Sequence, residues 1–570
     1  MDTDKVVRLL NNIADLMDIN GEQFFKTRAY RMAAETLREI EDPIDVLVEE
    51  ERLQDLPGIG KAIAKKISTF VTTGSLPYYE ELTKEVPPSL LDLLNIQGLG
   101  PKKVAVLYKK LGITTIDELQ KAARQHKLKD LDGFGITTEN NILRGIALQS
   151  QTSGRSLLHH ALQQGNQYVD YLKKQLGIDQ ISIAGSLRRR KETIGDIDIL
   201  VSSSDPKSIM DAFTDYTLVD EVMLKGKTKT SVRLNDGIQV DLRVVEKKSF
   251  GSALQYFTGS KEHNVLVRSL ALKNDMKLNE YGVFSKETDE YLAGKNEKEV
   301  YETIGLSFIP PELRENRGEI DAAENNSLPK LIELEDIKGD LHVHSTYSDG
   351  INSIEEVVTA AEKLGYDYVG ITDHSQSLKV ANGVSIEDVK KKCDHIKKIN
   401  KNSETTVFCG TECDILKDGR LDYPDETLKT FDYVGIGIHS LFKMDKKEAT
   451  NRILTALDNP FVTFLAHPTC RMIGHRKGFD VDMELLFDKA VETNTFLEIN
   501  AFPDRLDLND INVKRAKDKE VKFIIGSDSH SIQHLSNMQY GVETARRGWL
   551  EKQDVLNTTS VSKLKQMLNG

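Results

Sequence analysis

The sequence predicts a multidomain chain that changes fold class along its length: all-α helix-hairpin-helix domains, then an α+β domain, then a C-terminal α/β domain built as a distorted β/α barrel. Three observations carry this reading. Gly-x-Gly turns recur between helical stretches over residues 1–150. Two aspartates, Asp196 and Asp198, open an apolar strand in the middle of the chain. Beyond residue 337, strand-like apolar runs alternate with helical stretches and end in histidines and acids, the pattern of a parallel sheet.

At 570 residues the chain has room for roughly four domains. An apolar content of 39% supplies folded cores, and the net charge of −13 excludes a protein that grips nucleic acid over its whole surface. Any basic face must be local. The start, Met1-Asp2-Thr3-Asp4, is acidic with no apolar run behind it, so no signal peptide is read. No apolar stretch approaches the roughly 20 residues of a membrane span. Cys393, Cys409, Cys413 and Cys470 lack a zinc-finger spacing and read as reduced, mostly buried thiols of a cytoplasmic protein.

Residues 1–85 form the first helical domain, with helices over Val6–Leu16 and Arg28–Ile40 and a turn at Leu56-Pro57-Gly58-Ile59-Gly60, followed by Lys61, Lys65 and Lys66. Residues 86–150 form the second. It holds Ile96-Gln97-Gly98-Leu99-Gly100-Pro101-Lys102-Lys103 and a third turn, Leu131-Asp132-Gly133-Phe134-Gly135, leading into a helix over 140–148. A glycine turn lets backbone amides approach a nucleic-acid phosphate, and the lysines behind it add charge. Gly58, Gly60, Lys61, Gly98, Gly100, Lys102 and Lys103 are the candidate contacts.

Residues 151–243 hold the α+β domain. An apolar run ends in Gly185-Ser186, suited to a phosphate, followed by the cluster Arg188, Arg189, Arg190 and Lys191, suited to a triphosphate. Residues i and i+2 of a strand face one way, so Asp196 and Asp198 share a site that divalent cations would relieve of its repulsion. Asp241, in the alternating run Ile238–Val244, supplies the third carboxylate. Lys225, Lys227 and Lys229 sit on one hairpin, either a solvated turn or a template-strand contact. Residues 244–318 carry Tyr256-Phe257-Thr258-Gly259-Ser260, then Asn264 and Arg268 one helical turn apart on one face. Residues 319–336 are polar and acidic and read as a linker.

In residues 337–570 the strand ends carry His342, His344, Asp349, His374, Glu412, His439, His467, Asp528 and His530. Barrels of parallel strands place their chemistry there. Nine nitrogen and oxygen ligands fit three metal ions, and the imidazoles favour Mn²⁺, Zn²⁺ or Fe²⁺. Asp373 is read as supporting the ligands from behind.

These motifs resemble known families. Gly185-Ser186 with the arginines, Asp196, Asp198 and Asp241 resembles the palm of nucleotidyltransferases, and within them the family X DNA polymerases. Tyr30, Arg31 and the Gly58-Ile59-Gly60 turn resemble the lyase domain of DNA polymerase beta. That likeness implies Lys66 as a Schiff-base nucleophile, with Lys26 in support and Lys61 and Lys65 lowering its pKa; the plain alternative is a phosphate contact. Residues 244–318 are similar to the family's nucleotide-selecting domain, where Tyr256 and Phe257 crowd a ribose 2′-hydroxyl and Asn264 and Arg268 meet the minor groove. Thr193-Ile194 departs from the family where polymerase beta has a serine. The histidine series resembles the PHP (polymerase and histidinol phosphatase) domain. Together the domains look like a bacterial or archaeal family X polymerase carrying a PHP domain.

The resemblance implies a monomeric DNA polymerase acting on gapped or primed double-stranded DNA with dNTPs, filling short gaps in base excision repair. It implies Mg²⁺ or Mn²⁺ in the palm, a metal-dependent 3′-5′ exonuclease in the barrel, a possible lyase, and a cytoplasmic, nucleoid-associated location. The rival readings are a DNA-repair nuclease or 3′-phosphatase with a weak or silent palm, and an inert binding scaffold.

Overall fold

The computed structural model describes residues 3–569 except 23, 40–43, 51, 57, 95, 97, 98, 130, 132, 133, 136, 137, 140, 141, 144–154, 177, 179, 475 and 477. The chain forms two compact units, 1–153 and 154–570.

The first unit is helical. Long helices span Thr3–Asn20 and Phe24–Glu39, and shorter ones follow around one core that includes Leu10, Ile13, Tyr30, Ile67, Leu93 and Leu107. The three glycine turns share one bond. Ile59 N–H donates to the Leu56 carbonyl at 3.2 Å, Leu99 to Ile96 at 3.0 Å and Phe134 to Leu131 at 3.0 Å. In the first two, the last glycine is the N-cap of the following helix, Lys61–Thr73 and Pro101–Leu111. Gly98, Gly133 and most of the helix expected over 140–148 lie outside the described residues.

The second unit opens with a five-stranded sheet in the order Ile181–Ile183, Asp196–Ser202, Gln239–Val245, Lys229–Leu234, Val219–Lys225. Only the Asp196–Ser202 and Gln239–Val245 pair is parallel. The alternation of apolar residues in these strands buries Ile197, Ile199, Val240 and Leu242 against Leu158–Leu176 and Pro206–Thr214, leaving the aspartates on the open face. Helices Phe250–Thr258 and Lys261–Lys273 and a three-stranded sheet follow.

The C-terminal part is a seven-stranded parallel sheet whose strands run in chain order, from Gly339–Val343 to Phe523–Gly526. A parallel bridge from Val343 to Ser529 draws the first and last strands together, so the barrel is nearly closed. No described helix is long and apolar enough to cross a membrane.

Two expectations are corrected. Residues 319–336 are not a free linker. Glu319–Glu324 is a helix whose Glu319 is fully buried against His263 at 2.8 Å, and Ala323 and Leu331 join the core of the preceding domain. Ile332 N–H then donates to the Leu550 carbonyl at 3.0 Å. The acidic composition is a capping and ion-pairing pattern, since acids are favoured at a helix N-terminus. Nor are all four cysteines free thiols. Cys393 and Cys409 lie close enough, Cα to Cα 5.5 Å, to form a disulfide, while Cys413 and Cys470 are free and buried.

Candidate active sites

In the sheet of the α+β domain, parallel pairing sets Asp198 directly opposite Asp241, and Asp196 opposite Gln239. The three carboxylates come within 4.8 Å of one another. Burial, then the charges of Asp196 and Asp241, push Asp198 up to about 7, while burial and Asp241 raise Asp196. Asp241 goes the other way: burial would raise it, but Lys229 at 2.6 Å and the Gln239 amide at 2.9 Å hold it low. Three clustered carboxylates with one pushed toward neutrality are the donor set that hard divalent ions take.

Gly185 stands against this cluster at φ +62°, and a Cβ there would lie 2.2 Å from Asp198 Oδ2. Only glycine permits the approach. An open cleft of about 550 Å³ spreads from the carboxylates. It gathers Gly185, Ser186, Arg189, Tyr256, Phe257, Gly259, Asn264 and Arg268, so the candidate nucleotide residues come together. The Tyr256 and Phe257 rings meet edge to face at 5.1 Å, with the Arg243 guanidinium 4.3 Å over Phe257. The Asn264 side chain accepts from Gln255 at 2.8 Å and donates to the Tyr256 carbonyl at 2.7 Å.

The arginine cluster does not act as one body. Arg188 turns inward to Glu297 at 2.5 Å and Arg190 to Glu543 at 3.1 Å, leaving Arg189 and Lys191 on the cleft. Arg188 and Arg190 are half-buried, but Glu297 and Glu543 beneath them are more deeply set and tie these two to the fold; Arg189 pairs as well, with Glu315 at 2.9 Å, yet still borders the cleft. Arg155 joins the cleft unforeseen, donating to Thr193 Oγ1 at 2.9 Å. On the Lys225–Lys229 hairpin, Lys225 and Lys227 are exposed, as a solvated turn would have them, with Lys225 2.7 Å from Asp211, while Lys229 turns to Asp241.

The barrel gathers all nine expected residues. Three overlapping sets offer ligand atoms within 4.8 Å: His344, Asp349, His374 and His530; His342, His344 and Asp528; His374, Glu412 and His439. His467 stands beside them, 2.8 Å from Glu412. Glu412 is the hub, also facing His374 at 3.1 Å and His439 at 3.0 Å. Burial alone would raise its carboxyl, but the surrounding imidazoles hold it well below the ordinary range. His342 Nε2, both ring nitrogens of His344, His374 Nδ1 and Glu412 Oε2 are buried without a hydrogen-bond partner. Such atoms are costly unless something binds them. Imidazole and carboxylate together suit first-row transition ions, so the donor set fits them.

Asp373 supports this centre from behind: it accepts from Ser345 N–H at 2.7 Å and Ser348 Oγ at 2.8 Å, pinning the turn that carries His344 and Asp349, and its charge is met by buried Lys392 at 2.8 Å. Glu498, Asn500 and Arg505 were missed. Glu498 takes His342 Nδ1 at 2.6 Å and the His467 N–H at 2.7 Å, fixing one ligand's ring and another's backbone. Asn500 donates to both Glu498 and Asp528 at 3.1 Å, and Arg505 lies 3.4 Å from Asp528. The signal in the sequence is a lone glutamate inside the apolar run Phe496-Leu497-Glu498-Ile499, a position the structure buries fully.

In the first unit, Lys66 Nζ donates to the Tyr30 hydroxyl and lies 3.5 Å over the Tyr78 ring. Its pKa is lowered by burial and not, as expected, by Lys61 and Lys65, which are exposed. Lys26 is exposed and paired with Glu22 at 2.9 Å. Gly58 and Gly60 with Lys61, and Gly100 with Lys102 and Lys103, sit at their helix starts.

Family models match along the chain: a helix-hairpin-helix domain over residues 1–76, a SAM-like helix-hairpin-helix tandem over 90–147, a DNA polymerase beta thumb over 253–315 and a PHP domain over 340–563. The chain is 39% identical over 566 residues to the DNA polymerase/3′-5′ exonuclease PolX of Bacillus subtilis (strain 168), covering 99% of this chain and 98% of that one. It is 22% identical over 340 residues to DNA polymerase lambda of Rattus norvegicus, 54% of this chain and 56% of that protein. It is 26% identical over 245 residues to a probable phosphatase of Thermoanaerobacter sp. (strain X514), 40% of this chain and 93% of that one.

Proposed function

The chain belongs to the family of the DNA polymerase/3′-5′ exonuclease PolX, and from that premise we propose that it fills short gaps in DNA at the palm cleft and digests DNA 3′ ends at the barrel centre. The observation that supports both activities is the pair of separate ligand sets, one of carboxylates alone and one of imidazole with carboxylate.

In the palm, Asp196, Asp198 and Asp241 would hold Mg²⁺ or Mn²⁺; in the barrel, His342, His344, Asp349, His374, Glu412, His439, His467, Asp528 and His530 would hold three Mn²⁺, Zn²⁺ or iron ions. Ions bound in these places supply charge neutralisation and an activated hydroxyl or water. The chain's own residues do the rest. Gly185 and Ser186 leave room for the triphosphate, and Arg189 and Lys191 meet its charge. Tyr256 and Phe257 form the sugar platform, and Gly259 lets the chain turn past it. Asn264 and Arg268 face the nascent pair. Lys229, now on Asp241, must yield or share that carboxylate when the primer end arrives. In the barrel, Glu498 and Asp373 hold the ligands in place, and Arg505 adds charge beside Asp528 for a developing phosphoryl oxyanion. The hairpins of residues 1–153, through Gly58, Gly60, Lys61, Gly98, Gly100, Lys102 and Lys103, hold gapped or primed duplex DNA. The protein works as a monomer at the nucleoid, in base excision repair.

The test is a one-nucleotide gap with Mg²⁺ or Mn²⁺, with and without dNTP. Asp198→Ala should lose extension by at least about 100-fold and keep Mn²⁺-dependent digestion; His344→Ala should do the reverse. Undiminished extension by the first variant, or undiminished digestion by the second, sinks that half of the reading. Digestion with no incorporation by wild type would leave a repair nuclease with a silent palm.

Lys66, held between two tyrosines and depressed by burial, is proposed as a Schiff-base lyase nucleophile on incised abasic sites. Borohydride should trap a protein–DNA adduct that Lys66→Ala does not form. Trapping that persists in the variant would assign another amine.

A further inference from the structure

The helix Met538–Arg547 belongs to the barrel part of the chain, yet one of its faces is spent on the palm. Tyr540 meets the His159 ring edge-on at 6.2 Å, Glu543 pairs with Arg190 at 3.1 Å, and Arg547 reaches both the Arg189 carbonyl and Glu315, the latter at 3.1 Å. Arg547 is 3% exposed, and its other terminal nitrogen is held by Asp510 at 2.6 Å. Glu315 is therefore shared: Arg189 Nε lies 2.9 Å from the same oxygen that Arg547 approaches. Arg189 is the guanidinium on the cleft wall, where its Nη1 also donates to the Thr258 carbonyl at 2.5 Å.

We propose that Arg547 is a positioning residue of the nucleotide cleft: it sets Arg189 for an incoming triphosphate by sharing Glu315 with it and by holding the Arg189 carbonyl. The proposal rests on the reading that this cleft polymerises dNTPs. Two carboxylates, Glu315 and Asp510, face three guanidiniums, since Arg317 also lies 2.9 Å from Asp510, so the cluster is left one positive charge in excess and Arg189, at its cleft end, can offer it to a phosphate. Without Arg547, Glu315 closes on Arg189 alone, and the triphosphate must compete with a buried ion pair. The Arg189 carbonyl also loses a charged donor. Arg547 does not touch the cleft's carboxylates, so its loss should appear in nucleotide binding and spare the chemical step.

The experiment is steady-state filling of a one-nucleotide gap by the full chain, varying dNTP, for wild type, Arg547→Ala, Arg547→Lys, Glu315→Gln and the Arg547→Ala/Glu315→Gln pair. Arg547→Ala should raise the dNTP KM roughly tenfold with kcat within about threefold, the scale of one charged hydrogen bond. Arg547→Lys should recover part of the loss. In the Glu315→Gln background, removing Arg547 should cost less than about threefold, because the two act through one carboxylate. Mn²⁺-dependent digestion of the primer without dNTP reports on the fold and should stay within about twofold of wild type. An unchanged KM in Arg547→Ala overturns the proposal, as does the full loss persisting in the Glu315→Gln background. If digestion falls in parallel, Arg547→Lys decides: a raised KM with intact digestion supports positioning, and an unchanged KM, or a digestion loss here too, makes Arg547 a fold determinant and retires the proposal. A wild type that fills no gap refutes the polymerase reading itself, a separate result.

Discussion

Single atoms decide much of the palm. Gly185→Ala would drive a methyl into Asp198, so extension should fall by about 100-fold or more while digestion at the barrel stays at wild-type level; normal gap filling by this variant would show that the glycine approach is dispensable. Asp198, pushed up to about 7, is charged above that pH only at a cost to the fold. A carboxyl whose folded pKa is raised contributes stability below its unfolded pKa near 4 and loses it as pH rises through about 7. Metal-free Asp198→Asn should therefore gain about 1–3 kcal/mol in the 154–570 transition at pH 8, and the gain should shrink toward pH 5, as thermal melts in chelator will show. At this scale the sequence was legible where chemistry has a local pattern. Asp196-x-Asp198 and His342-x-His344 declare themselves by period two. Lys229, Arg155 and Arg505 do not, because each becomes a site residue only through a strand partner or a fold-back far along the chain.

Elements were legible by period and turn, and misread where composition stood in for period. The parallel strands after residue 337 and the glycine turns follow the pattern in the sequence. The segment 319–336 looked like a linker because of its acids, although Ile320 and Ala323 already marked a helix's inner face. Within the basic cluster at 188–191, Arg188 and Arg190 turn to carboxylates while Arg189 and Lys191 border the cleft, a division that charge in sequence cannot give because it says nothing of which carboxylate waits in the fold. The hairpin helices give a prediction of their own. Lys61→Glu with Lys102→Glu should weaken binding to gapped DNA at every sequence, and the slope of log affinity against log salt should flatten by about 0.9 for each phosphate no longer neutralised. Anisotropy titrations across a salt series measure this, and an unaltered slope would put the DNA grip elsewhere.

At the scale of the whole molecule the chain forms two compact units, 1–153 and 154–570, and each should melt in a transition of its own. A strong chelator should lower the transition of the second body by several degrees, because buried imidazoles and Glu412 lose the ions that offset their desolvation, and should leave the first unmoved. Calorimetry with and without dipicolinate tests it, and equal shifts in both transitions would refute it. Within the second unit, the chain that joins palm to barrel is tied down at both ends, to the preceding core by Glu319 and Leu331 and to the barrel by Ile332, whose N–H meets the Leu550 carbonyl just past helix Met538–Arg547. A barrel so anchored should keep its place when a primer stalls, and the DNA should be the part that moves. Editing would then be a race between a frayed end finding the second centre and the duplex drifting away, and fidelity would depend on how crowded the surroundings are with other DNA. In a large excess of unlabelled gapped duplex, a mismatched primer terminus should escape untrimmed.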